Sequence, residues 1–259
     1  MRFQGKVALV TGGGVGIGKA TALAFAREGA AVAVAGRRYG LLEQTVQEID
    51  KIGRRGLAIR ADVTQEDQVI AMADRVLEAF GQVDILVANA GLGVMKNVID
   101  MSVDEFAAAY WVNNVSTFLC CRECLKKSMI PRRTGSIITV SSRAGKRGYL
   151  LGGAYSTSRW GIIGFTQALA WEVGMYGIRV NCVCPGPVMT DSLIDFFHEQ
   201  ARATGQEFEA IARNFESQAA LRKLVTPEEV ANLILFLCSD EASAMTGQAI
   251  NISAGGEMR

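Results

Sequence analysis

The chain has 259 residues, 49% of them hydrophobic, enough to bury one large core or two small ones. Its 27 Lys and Arg against 26 Asp and Glu leave a formal net charge of +1, which argues against nucleic acid and anionic membrane surfaces as partners. No apolar run approaches the roughly eighteen residues of a membrane span, and Met1 to Lys6 leads into a strand without a signal-peptide pattern, so a soluble, cytoplasmic protein is expected.

Lys6 to Thr11 is a short apolar run ending at glycines, the pattern of a strand buried on both faces. The turn Gly12 to Gly18 follows, and Lys19 to Gly29 reads as an amphipathic helix closed by glycine. Ala31–Gly36, Gly56–Asp62 and Val83–Asn89 are expected strands, separated by helices over Leu41–Ile52 and Glu66–Phe80. The second half continues with a long helical region over Val103–Met129, a strand over Gly135–Ser141, a helix beyond Ala154 and a strand over Ile178–Cys184. Asp191–Val225 is polar and helical in pieces; Thr226 caps a helix with Pro227 at its first position, and Gln248–Ile252 is the last strand. Regular alternation of strand and helix predicts right-handed crossovers and one doubly wound α/β domain over residues 1–259, with a mostly parallel, seven-stranded sheet covered on both faces.

The six cysteines, none before Cys120, lack paired C-x-x-C knuckles. Cys120, Cys121 and Cys124 invite a metal reading, but with His198 as the single histidine they read better as small buried hydrophobes in a reducing compartment, and no metal is expected. One histidine also removes Ser-His-Asp and Cys-His catalysis unless His198 itself serves.

Chemistry concentrates between Ser142 and Arg159. Tyr155 and Arg159 are i, i+4 neighbours on a helix and share one face. A phenol has a reference pKa of about 10, and a fixed cation nearby favours its ionised form. With a hydroxyl from Ser142 to hold a substrate oxygen, such a phenol could protonate or deprotonate an alcohol. The alternative is an ordinary buried helix with a tyrosine on its rim. The glycine turn points to a nucleotide: backbone amides and a helix N-terminus directly after a strand are where a pyrophosphate sits. An acidic residue at the end of the second strand would select NAD(H); the chain has Gly36, then Arg37 and Arg38, which favours NADP(H), with NAD(H) as the alternative.

With these pieces placed, the chain resembles the short-chain dehydrogenase/reductase family, of Rossmann fold, along nearly its whole length. Thr11-Gly12-x-x-x-Gly16-x-Gly18, with Gly14 and Ile17 inside it, is similar to the family's cofactor loop, and Asp62-Val63 to its adenine-contacting pair. Asn89-Ala90-Gly91 resembles the turn that stabilises the central sheet beside the cofactor. Asn113, five residues before Phe118, falls where the family has its catalytic asparagine, with Asn114 the adjacent competitor. Ser142 and Tyr155 match the catalytic serine and tyrosine, and Pro185-Gly186-x-Val188-x-Thr190 resembles the turn that holds the nicotinamide carboxamide and diphosphate.

The resemblance implies hydride transfer at nicotinamide C4, with Tyr155 as general acid/base, Ser142 on the substrate oxygen and Asn113 keeping a water in a proton relay through a bulge of its helix. It departs at one position: the family's Tyr-x-x-x-Lys is here Tyr155-x-x-x-Arg159. Arginine keeps the charge and can donate to the ribose, but its head is planar, bulkier and unable to pass on a proton. The expectations are a weaker or altered reductase of secondary alcohols and ketones, a site repacked around arginine, or a silent nucleotide-binding relative. Residues 188–225 are expected to form a substrate lid, with Phe196, Phe197, His198, Phe208 and Phe215 closing over the nicotinamide or packing on a neighbouring subunit. The family also implies a homotetramer, or next a dimer, formed through Val112–Met129 and Ala154–Tyr176, with Cys120, Cys121, Phe165, Leu169 and Trp171 among the interface residues.

Overall fold

The computed structural model describes residues 1–258. Seven strands form one sheet in the order β3-β2-β1-β4-β5-β6-β7: Val7–Thr11 (β1), Ala31–Gly36 (β2), Gly56–Arg60 (β3), Ile85–Ala88 (β4), Gly135–Val140 (β5), Ile178–Pro185 (β6) and Ala249–Ile252 (β7). All six pairings are parallel, so the sheet is more uniform than expected. Alternation within each apolar strand feeds two separate cores. Ala8 and Val10 pack on one face with Phe25, Leu42 and Ile234, while Val7 and Leu9 pack on the other with Met72, Val76 and Leu169. The first face is covered by helices Gly16–Arg27 (α1), Tyr39–Lys51 (α2) and, near the chain's end, Pro227–Cys238; the second by Glu66–Phe80 (α3) and the long central helices.

Strand order reverses between β1 and β4, which opens a crevice at their carboxyl ends. The crevice is laced by side chains: Asn89 and Ala90 donate their backbone N–H groups to Thr11 Oγ1 at 3.0 and 3.1 Å, and Asn89 Nδ2 donates to the Thr11 carbonyl at 2.9 Å. Helix α1 starts at Gly16, earlier than its apolar periodicity suggests, so the glycine turn and the first helical turn are one structure.

The long helix is interrupted twice, once by the bulge at Asn113 that the resemblance implied and once more. It runs as Val103–Tyr110 (α4), a π-turn Trp111–Val115, Ser116–Cys124 (α5), a second π-turn Leu125–Met129, and Ile130–Arg132 (α6). Its partner is the 21-residue helix Gly153–Val173 (α7). Three proposed interface residues are corrected: Cys120, Cys121 and Leu169 face the sheet and are buried within the chain. Burial pushes the Cys120 thiol up to about 12, so it stays a neutral hydrophobe. Apolar surface on these helices is carried instead by Phe106, Tyr110, Trp111, Phe118, Trp160 and Trp171.

Between β6 and the Pro227 helix, the 188–225 segment forms Asp191–Thr204 (α8) and Phe208–Ser217 (α9), followed by Pro227–Cys238 (α10). None of its phenylalanines lines the two pockets described below. Phe197 is fully buried and its ring centroid lies 5.0 Å from Phe215 and 5.7 Å from Phe208, so these rings form a private core between α8 and α9. Both ends of the excursion are pinned together: Met189 N donates to the Val225 carbonyl at 2.8 Å, and Val225 N to the Pro187 carbonyl at 3.1 Å. No helix of the described residues is long and apolar enough to cross a membrane.

Candidate active site

At the crevice a cleft of about 570 Å³ is lined by Gly12, Gly14, Gly16, Ile17, Arg37, Arg38, Asp62, Val63, Asn89, Ala90, Gly91 and Thr190, all expected cofactor contacts. It also takes in Leu41, Thr64, Leu92, Val112, Asp191 and Ser192, which the sequence motifs had not singled out. Helix α1 opens onto this cleft with no side-chain cap and no acidic residue in its first turn. Uncapped amides and the positive end of the helix dipole suit a diphosphate. The residues present therefore fit a dinucleotide. Gly18 is the exception among the predicted contacts: a Cβ there would lie 2.2 Å from the Gly12 carbonyl, so glycine is required for packing of turn on helix, beneath the cleft. Arg37 and Arg38 are exposed where β2 ends, and neither forms an ion pair among the described residues.

A second pocket of about 220 Å³ shares Ile17, Asn89, Gly91 and Thr190 with the cleft, so the two adjoin. Its walls bring together Ser142, Tyr155 and Arg159 with Pro185, Gly186 and Val188. Ser142 stands just beyond the end of β5; its Oγ accepts from Ala144 N at 3.1 Å, which leaves its hydrogen free to donate. Tyr155 lies in the first turn of α7.

Asn113 is fully buried in the first π-turn. Its Oδ1 accepts from Leu92 N at 2.8 Å, and its Nδ2 donates to the Leu92 carbonyl and to Ser158 Oγ, each at 2.9 Å. Ser158 Oγ in turn donates to the Tyr155 carbonyl at 2.8 Å, so the π-turn is tied to the turn that carries Tyr155. Asn114 instead donates to the Ser158 carbonyl at 3.0 Å.

Arg159 is 7% exposed. Its Nη1 donates to the Val140 carbonyl at 2.8 Å, its Cζ lies 5.0 Å from the Tyr155 ring centroid, and its Nε is buried without a partner. A Cβ on Gly91 would lie 2.6 Å from Nη2, so the missing side chain at Gly91 is what admits the larger cation. No carboxylate pairs with Arg159 among the described residues. Burying an ion costs several kcal/mol, more than one charged hydrogen bond of about 1.5–3 kcal/mol returns. The pocket is thereby biased toward anions. Burial of the Tyr155 phenol works against its ionisation, but the charge of Arg159, the adjacent Ser142 hydroxyl and the charge of Arg143 outweigh it and bring its pKa below the usual tyrosine value.

The family model described as enoyl-(acyl carrier protein) reductase matches residues 13–257. A short-chain dehydrogenase/reductase of Armillaria gallica is 40% identical over 254 residues, 97% of this chain and 96% of that protein. Actinorhodin polyketide ketoreductase with NADPH superposes with a TM-score of 0.94 at 31% identity, covering 98% of each chain. NAD+-bound xylitol dehydrogenase gives 0.93 at 32%, covering 98% of this chain and all of the other. With this sheet order, this tyrosine helix and relatives matched from end to end, the chain belongs to the short-chain dehydrogenase/reductase family of Rossmann-fold oxidoreductases.

Proposed function

We propose that the protein is an NADP(H)-dependent oxidoreductase that interconverts a secondary alcohol and its ketone. The observation that carries this reading is Tyr155, set with Ser142 and Arg159 on the wall of a pocket that joins the dinucleotide-sized cleft. When bound, the nicotinamide supplies or accepts the hydride. Ser142 donates its hydroxyl hydrogen to the substrate carbonyl oxygen and fixes its position. Tyr155 gives that oxygen a proton during reduction and takes it back during oxidation. Arg159 acts through its charge, holding the Tyr155 pKa down. It cannot relay a proton, so Tyr155 exchanges protons with water by a route that bypasses residue 159.

Preference for NADP(H) rests on Arg37 and Arg38, two unpaired guanidiniums at the end of β2 where an acidic side chain would repel a 2′-phosphate. The exposed aromatic face of Phe106, Trp111, Phe118, Trp160 and Trp171 supports a homotetramer, with a dimer next; a monomer by light scattering would refute both. Six free, buried thiols suit a reducing, cytoplasmic setting.

The test is NADPH consumption on a panel of ketones and aldehydes, with the unmodified protein beside Arg159→Lys. Turnover by the unmodified protein is expected. Turnover by the lysine form alone would instead make this a silent nucleotide-binding member, its otherwise complete site blocked by the guanidinium held on Val140.

A further inference from the structure

Ser158 is fully buried on α7, lies between Tyr155 and Arg159 in the chain, and has no place in the roles above. Its Oγ accepts from Asn113 Nδ2 at 2.9 Å and donates to the Tyr155 carbonyl at 2.8 Å. A helical serine often bonds a carbonyl one turn back; here its acceptor side is engaged as well. Asn113 is used up as a donor, because its two Nδ2 hydrogens go to the Leu92 carbonyl and to Ser158, while its Oδ1 takes Leu92 N. Leu92 lines the dinucleotide-sized cleft and Tyr155 the adjoining pocket. Leu92, Asn113, Ser158 and Tyr155 thus form one bar from the cofactor wall to the wall that carries the phenol.

The other ties of this part of α7 run elsewhere. Ser141 Oγ donates to the Arg159 carbonyl at 2.8 Å, and Arg159 Nη1 donates to the Val140 carbonyl at 2.8 Å, so the cation is anchored to the end of β5. Asn114 Nδ2 donates to the Ser158 carbonyl at 3.0 Å, which holds the helix against the π-turn without using the Ser158 side chain. Cation and phenol are therefore held from two different elements, β5 and the π-turn.

We propose that Ser158 is a positioning residue: it carries the placement of Asn113 over to Tyr155, and so fixes the phenol relative to the cofactor wall and to the Arg159 guanidinium. A small misplacement of a reacting group costs far more in rate than in binding. This inference rests on Tyr155 being the proton donor of the oxidoreductase reading, and its test separates the two.

Ser158→Ala cuts the bar but leaves the carbonyl bond to Asn114, so α7 stays docked. Ser158→Cys has nearly the same shape and a weaker donor, and keeps part of the tie. With NADPH and a ketone that the unmodified protein reduces, Ser158→Ala is expected to lower kcat about tenfold or more while KM for NADPH stays. Ser158→Cys falls between, and gives the same readouts at reduced size should the alanine form not fold. Made on top of Tyr155→Phe, Ser158→Ala should leave the residual rate as it is, whereas a merely structural role would lower it by the same factor again.

A second readout needs neither turnover nor cofactor: the tyrosinate absorbance of each protein, titrated against pH, minus that of its Tyr155→Phe counterpart. The charges acting on the phenol are those of Arg159 and Arg143, with the Ser142 hydroxyl beside it. Both cations favour ionisation, so a phenol that drifts from them ionises at higher pH. Ser158→Ala should move this titration to higher pH, and Ser158→Cys should move it less. A protein that shows the shift but reduces no ketone defeats the oxidoreductase reading and leaves the positioning role standing. A titration unmoved by Ser158→Ala, or an equal loss of rate with and without Tyr155→Phe, overturns the proposal.

Discussion

The two ends of the long cleft work by opposite means. Around Gly12–Gly18 the chain removes side chains so that backbone can approach backbone: the helix starts uncapped, and no acid stands in its first turn. Around Ser142–Arg159 it does the reverse, setting the charges of Arg143 and Arg159 to act on one phenol, with no ion pair for either among the described residues. The first end is therefore specified by shape and tolerates no added atom. The second is specified by charge and should respond in graded fashion to changes in it. Dipoles suffice for a ligand that already carries a full negative charge, whereas a neutral phenol that must ionise needs full charges beside it.

Substitutions can break or sharpen that contrast. The largest effect is expected from Tyr155→Phe, which keeps the ring but removes the transferable proton; kcat should fall by about 10²–10⁴-fold while the thermal shift induced by NADPH persists. Loss of that shift as well would mean that Tyr155 serves binding rather than proton transfer. Gly18→Ala comes next: its Cβ would sit 2.2 Å from the Gly12 carbonyl, so a destabilisation of about 1–3 kcal/mol in denaturant melts and loss of the NADPH-induced shift are expected. An unchanged melt would show that the turn yields after all.

Arg37→Asp should weaken NADPH by about tenfold or more while affecting NADH far less, as read by titration of each. Equal losses for both cofactors would remove the 2′-phosphate argument. The smallest effect is a displaced pH profile. Reduction needs Tyr155 protonated, so its rate falls as pH rises through the Tyr155 pKa. Arg143 helps to lower that pKa, and Arg143→Gln should therefore carry the alkaline fall of reduction to higher pH. Arg159→Lys, which keeps the nearer cation, should move it less.

The seven strands and most cleft-lining residues were legible because each motif sits where an apolar run ends, and period and position reinforce one another. Asn113 could be placed by its distance from Phe118, but the bulge of its helix was legible only through the family resemblance: a π-turn adds a residue without erasing the apolar stripe around it, so periodicity alone does not show it. Apolar residues alone do not say what covers them. The phenylalanines of residues 196–215 were expected to cover a substrate or pack on a neighbouring subunit; in the structure they pack on one another between α8 and α9, as two amphipathic helices side by side require. Cys120, Cys121 and Leu169 looked available for a neighbour because periodicity identifies an apolar stripe without saying whether a sheet or another subunit covers it. Arg143 left no periodic trace; its one signal was an arginine immediately after the expected catalytic serine.

The two π-turns of the central helix also set what this stretch can survive over evolutionary time. An α-turn holds about 3.6 residues and a π-turn one more, so deleting one residue within Trp111–Val115 would let the rod close into regular α geometry. Such a deletion would leave the faces of α4 and α5 aligned but remove the wide turn that seats Asn113 and unhook it from Leu92, even with every remaining amino acid unchanged. The excursion between Val188 and Val225 is free of that constraint, since only its clamped ends must meet. Insertions and deletions among relatives should therefore accumulate between the clamps and be purged from the rod, making chain length a more sensitive record of the site than residue identity.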